Sequence, residues 1–125
     1  SCERYAKNVT VANCRCLETK SIITGGLRYS FNNWGQQNLF MNCQSTEGRH
    51  DYVTGARVCG PNVFYNCTAF QTYADIGPHH RWAVGTLYDK WVVATVGQVL
   101  HRYYGIVGLN GLLYRIRGHL VITTI

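Results

Sequence analysis

Asn62-Val63-Phe64-Tyr65-Asn66-Cys67 decides how the chain is read. An asparagine opens it, a short β-forming apolar run follows, and Asn-Cys closes it. The pattern recurs at Asn38-Leu39-Phe40-Met41-Asn42-Cys43 and, one residue longer, at Asn8-Val9-Thr10-Val11-Ala12-Asn13-Cys14. Cys14 and Cys43 stand 29 positions apart, and Cys43 and Cys67 stand 24 apart. One short strand in every 20 to 30 residues or so is the mark of a solenoid. Short runs bounded by Gly and Asn suit strands better than helices, and no capped amphipathic helix occurs in positions 1–90.

These spacings predict an all-β chain, a right-handed parallel β-helix of about three coils. Equivalent residues then stack about 4.8 Å apart in ladders. Asn13, Asn42 and Asn66 are expected to form a buried asparagine ladder at a turn. Cys14, Cys43 and Cys67 are expected to point inward as small apolar residues with free thiols. Asn8 to Cys16 reads as the first strand with its corner, Leu17 to Leu27 as a second sheet, and Arg28 to Gln37 as an aromatic-decorated loop. Positions 1–90 carry the coils. Positions 91–125 have neither the Asn-Cys pattern nor any acidic residue, and they read as a divergent coil or a cap.

A second repeat lies between the Asn-Cys strands. Thr24-Gly25, Thr54-Gly55 and Val84-Gly85 recur thirty positions apart, with Lys20, His50 and His80 in one shared slot. At that offset His80 lies over His50, Trp82 over Tyr52, His79 over Arg49 and Arg81 over Asp51.

Composition narrows the function. Of 125 residues, 46% are hydrophobic and only 14% charged, which argues against a disordered chain. Twelve Lys/Arg against six Asp/Glu leave a net charge of +6, which suits a polyanionic partner. The basic residues are scattered without a run, which speaks against nucleic acid. No segment approaches the roughly 18 to 20 apolar residues of a membrane helix, so no membrane insertion is expected. Cys14-x-Cys16 has no histidine at zinc-ligand spacing, and the few acids supply no calcium cage. Neither a metal nor another cofactor is expected. Asn8-Val9-Thr10 and Asn66-Cys67-Thr68 match the glycosylation acceptor pattern, the latter read as accidental because Asn66 is placed in the buried ladder.

Three stretches carry a resemblance: Asn62 to Cys67, Gly48-Arg49-His50-Asp51-Tyr52-Val53-Thr54-Gly55, and Gly77-Pro78-His79-His80-Arg81-Trp82-Ala83-Val84-Gly85. Together they resemble pectate-lyase-like right-handed β-helix proteins, in particular an extracellular group with RHD-type and GPHHRW-type motifs. The resemblance spans about residues 8–90. It implies a parallel β-helix, a location outside the cell or on its surface, and a link to polysaccharides.

Stacking at thirty residues gathers Arg49, His50, Asp51, His79, His80 and Arg81 into one patch. A lyase acting on an acidic polysaccharide by β-elimination needs a cation on the uronate carboxylate, a base for the adjacent proton and an acid for the leaving oxygen. Arg81 or Arg49 fits the first role, His80 or His50 the second, and Tyr52 or Tyr88 the third. Asp51, His79, Tyr52, Trp82 and Trp34 are the expected substrate contacts, with Tyr29 and Phe31 beside Trp34 as a stacking platform. Two other readings stand beside elimination. The patch can be structural, an Asp51–Arg81 pair and a histidine ladder packed by Trp82 and Tyr52, or it can bind an acidic glycan or serve an adhesin-like scaffold without cleaving anything. Glycoside hydrolysis needs paired carboxylates, and Asp51, Asp75 and Asp89 form no pair in the sequence.

Overall fold

The fold follows from a corner repeated at a fixed place in the chain. A computed structural model describes residues 1–74, 76–78, 82–95, 101–107 and 113–114. Twelve strands and no helix occur among them. The first pass of the chain gives β1 (Thr10–Ala12), β2 (Arg15–Cys16) and β3 (Tyr29–Asn33). The second gives β4 (Leu39–Met41), β5 (Gln44–Thr46) and β6 (His50–Thr54). The third gives β7 (Cys59–Tyr65), β8 (Thr68–Thr72) and β9 (Gly77–Pro78). Each strand pairs in parallel with its counterpart on the next pass, so three stacked sheets result: β1-β4-β7, β2-β5-β8 and β3-β6-β9.

The first two stacks meet at Asn13, Asn42 and Asn66, all in the left-handed region with φ of 57°, 53° and 50°. Asparagine tolerates that conformation better than other L-residues, for which it costs about 1–2 kcal/mol. Their backbone amides donate to the following pass, Asn13 to Met41 O, Asn42 to Tyr65 O and Asn66 to Asp89 O. Lys90 (φ 54°) takes the same place on the next pass, inside β10 (Val84–Thr95). β10 therefore continues both stacks, pairing with β7 through its first half and with β8 through its second, and it runs through position 90 without a break. β11 (His101–Val107) turns back antiparallel on β10, and β12 (Leu113–Tyr114) follows β11.

Inside, rings stack along the passes. Phe40, Phe64 and Tyr88 form one column with centroids 4.8 and 5.0 Å apart, and Phe31 lies on Tyr52 at 4.9 Å. Such contacts add about 0.5–1.5 kcal/mol each beyond area burial. Cys43 and Cys67 are buried as expected, but Cys14 is exposed on the outermost pass; all six cysteines are free thiols.

Three expectations are corrected. The ladder of Asn42 and Asn66 is real, Asn66 Nδ2 donating to Asn42 Oδ1 at 2.7 Å, yet it lies outside in solvent. The buried ladder uses other asparagines. Asn62 Oδ1 accepts from Asn38 N at 3.1 Å, Asn38 Oδ1 from Val9 N at 3.0 Å, and Asn33 Oδ1 from Asn38 Nδ2 at 2.9 Å. Next, Leu17–Leu27 is a loop, turning at Gly25 and Gly26 (φ 64° and 75°), while Tyr29–Asn33 inside the expected loop is β3. Arg28 gathers that loop, donating to the carbonyls of Ser21, Thr19 and Glu47. Finally, β6 pairs Tyr52 with Phe31 and Val53 with Gly77, offsets of 21 and 24 residues rather than thirty. Buried side chains set this register, and the loops absorb the differences in length.

Candidate functional site

The expected site divides in two once its residues are placed. Arg49 is half-buried, and His50 is 3% exposed with its ring edge-on to Tyr29 at 5.1 Å. Asp51 is fully buried, and Ser30 Oγ donates to its Oδ1 at 2.7 Å. The Ser45 hydroxyl closes a triangle, in hydrogen-bond contact with Asp51 Oδ1 and 2.7 Å from Ser30 Oγ. Gly48 makes room for this triangle, because a Cβ there would meet Asp51 Oδ1 at 1.8 Å. Tyr52 is buried in the aromatic core and donates to Thr68 O at 2.9 Å; burial holds its phenol well above the usual tyrosine range. Trp82 is 69% exposed, so it shares no stack with buried Tyr52. His79, His80 and Arg81 lie outside the described residues.

Trp34 stands elsewhere, in a groove at the corner where the third stack leads into the first. Residues 2–7 build its upper wall. Cys2 bridges to Asn33 and Lys7 to Gln36, both in parallel sense, and Trp34 N donates to Cys2 O at 2.8 Å. Between these anchors Ala6 N bonds Glu3 O, a turn with Arg4 and Tyr5 at its tip. The buried asparagines lie behind this corner, since Asn62 Nδ2 donates to Gly35 O at 3.1 Å. Gly35 is required there, as a Cβ would come within 2.2 Å of Ala6 O. The lower wall is the segment after β6, with Arg57 and Cys59 exposed.

The cavity measures about 410 Å³ and is lined by Arg4, Tyr5, Trp34, Gln36, Arg57 and Cys59 among others. Gly55 backs the Trp34 indole, where a Cβ would lie 2.3 Å from two ring carbons. The Arg4 guanidinium carbon lies over the same ring, 5.2 Å from its centroid. Arg4 over the Trp34 ring thus shares one open cleft with Gln36 and Arg57, and exposed Tyr5 stands at its rim. Guanidinium groups grip carboxylates or sulfates in bidentate fashion, and aromatic faces suit the apolar face of a sugar ring.

The sequence reading reached Trp34 but missed Arg4, Tyr5 and Arg57. Arg4 and Tyr5 precede the first Asn-Cys strand, and the bridges from Cys2 to Asn33 and from Lys7 to Gln36 bring them to the corner. Among the described residues no three His, Cys, Asp or Glu side chains converge as a metal cluster. The chain is an all-β protein of stacked parallel sheets with a basic-aromatic corner cleft. Comparison with protein-family models, curated proteins and solved structures found no match for it.

Proposed function

We propose that this chain is a set of coils of a right-handed parallel β-helix, akin to the pectate-lyase-like proteins, and that it holds an acidic polysaccharide outside the cell as a binding scaffold. One observation carries the reading. Arg4 and Arg57 flank Trp34 and Tyr5 in a cleft of about 410 Å³, so charge recognition and ring stacking are available together. A site that binds without cleaving needs nothing more. Elimination needs a base at the substrate, and His50 and Tyr52 are enclosed by the fold.

β-Elimination is the second reading, and one observation favours it. Thr54 pairs with Pro78 and Cys59 with Val84, so β6 and β7 on either side of Arg57 pair with β9 and β10, the strands that hold the two ends of the motif from Gly77 to Gly85. On this reading His80 serves as base and Arg81 or Arg49 holds the carboxylate.

Calorimetric titration with polygalacturonate, alginate and a glycosaminoglycan tests both, with ultraviolet absorbance reporting unsaturated uronate ends. Saturable binding without new absorbance, weakened about tenfold in Arg57→Ala, is the expected result. Unsaturated product lost in His80→Ala replaces the scaffold with the lyase. New reducing ends without absorbance point to hydrolysis, and binding to none of the three overturns the glycan reading.

A further inference from the structure

We propose that Arg4 is the specificity-determining residue of this cleft, a cover on Trp34 that only an anionic sugar removes. The inference rests on the glycan reading of the groove and adds how the groove chooses its ligand.

Three observations meet here. The Trp34 indole has one side closed by Gly55, where even a Cβ has no room. Arg4 lies over the ring at 5.2 Å; with one side closed by Gly55, the guanidinium and a stacking sugar compete for what remains of the indole. The backbone that carries Arg4 is pinned on both flanks, by Cys2 N to Asn32 O at 2.9 Å and by Gln36 N to Ala6 O at 3.0 Å. Arg4 itself is exposed at the tip of a closed turn, with Tyr5 99% exposed beside it. The cover is therefore a side chain on a fixed hinge, and opening it takes rotation about side-chain bonds alone.

Selection follows from what each ligand returns to the guanidinium. A neutral sugar that stacks on Trp34 displaces Arg4 and returns only uncharged acceptors, which water supplies as well, for the lost ring contact. An anionic sugar displaces it and then offers a carboxylate or sulfate for a bidentate bond. Arg57 lies on the opposite wall and covers no ring among the described residues, so it adds attraction for an anion without penalising a neutral sugar. Arg4 thus acts twice, against neutral ligands and in favour of charged ones. The ligand class is a uronate- or sulfate-bearing oligosaccharide.

The test pairs an oligogalacturonate with its methyl ester, the same sugar without the charge. Both are titrated into the full chain by calorimetry, while the Trp34 indole N–H signal is followed by NMR. Wild type is expected to prefer the free acid by about tenfold or more. Arg4→Ala should weaken the acid about tenfold and tighten the ester roughly two- to fivefold, the value of an exposed cation–π contact. Arg57→Ala should weaken the acid and leave the ester unchanged.

If Arg4→Ala leaves ester binding unchanged or weaker, the cover is refuted while the groove reading survives. If neither sugar moves the Trp34 signal of wild type, the glycan reading itself fails. Equal competition by a single-stranded oligodeoxynucleotide refutes sugar selection, because charge alone would then account for binding.

Discussion

Replacing Asn38 with alanine tests whether the inner asparagine ladder holds the passes together. Asn38 is 2% exposed, and its side chain accepts from Val9 N at 3.0 Å and donates to Asn33 Oδ1 at 2.9 Å and Ala6 O at 3.4 Å. The Val9 amide then loses its acceptor, and Asn33 Oδ1 keeps only the bond from Gly35 N. A buried polar group left unpaired costs about 1–3 kcal/mol, so two weakened sites predict a loss of about 3 kcal/mol. Asn66→Ala is the matched control on the outer ladder. Its bond to Asn42 is exposed, and the main cost is an alanine held at φ 50°, about 1–2 kcal/mol. Asn66→Gly removes the same side chain without that strain and should cost less than Asn66→Ala. Urea unfolding followed by far-ultraviolet circular dichroism reads all three. At a slope of about 1–3 kcal/mol per molar, Asn38→Ala should lower the midpoint by roughly 1–3 M with the slope unchanged. An Asn38→Ala midpoint at or above that of Asn66→Ala would refute the assignment of the inner ladder as the stabilising one.

Phe64→Ala removes the middle ring of the Phe40–Phe64–Tyr88 column and should cost about 3–5 kcal/mol, with collapse of the near-ultraviolet circular dichroism; a loss below about 1 kcal/mol would show that the column is not packed as described. A disulfide-exchange reagent should label Cys14 and Cys59 quickly in the folded protein, and Cys2, Cys43 and Cys67 only on unfolding, as mass spectrometry of labelled peptides will show. Burial pushes the Cys67 thiol up to about 12 from 9.0, and those of Cys2 and Cys43 also upward. Between those two pH values the unfolded chain gives up the Cys67 proton and the folded chain keeps it, so stability must fall as pH rises from about 9 to about 12. Cys67→Ala should flatten part of that decline, measured as the denaturation midpoint against pH.

How legible the molecule was in its sequence depended on which side chains mark a backbone conformation. Asn-Cys was legible because the corner between two stacks demands a left-handed residue followed by a small one, and both demands act on residue type at a fixed place. Lys90 meets the first demand without being asparagine, which is why the pattern stopped one pass before the parallel pairing did. The thirty-residue repeat was misleading for the opposite reason. Thr-Gly and Val-Gly pairs recur at several kinds of bend, so their spacing does not report register, whereas burial of Phe31 on Tyr52 does. That contact shifts β6 by nine residues relative to the expected offset. It leaves His50 beside Tyr29 and Asp51 among serines.

A fold of stacked parallel sheets has two sorts of place for a ligand, and the physical demands on them differ. The inner face of a stack must satisfy every polar group locally, as Asp51 does in part with Ser30 and Ser45, so a charged residue there is committed to the fold. A corner has no such obligation, because successive passes end their strands there and insert different lengths of chain. Arg4, Trp34 and Arg57 belong to three different passes and make no continuous sequence motif, yet the pairing of residues 2–7 with 33–36 and of 33 with 54 brings them to one opening. Trp82 is exposed two residues before Val84, as Arg57 is two residues before Cys59, and Val84 pairs with Cys59. The corner that holds the groove is therefore also the one where the next pass presents an exposed aromatic ring. A polymer lying along the axis of the stack would meet these residues in succession, one pass at a time. A compact ligand would meet only Arg4, Trp34 and Arg57. Dependence of affinity on oligosaccharide length, and its loss in Trp82→Ala for long chains alone, follows from that geometry.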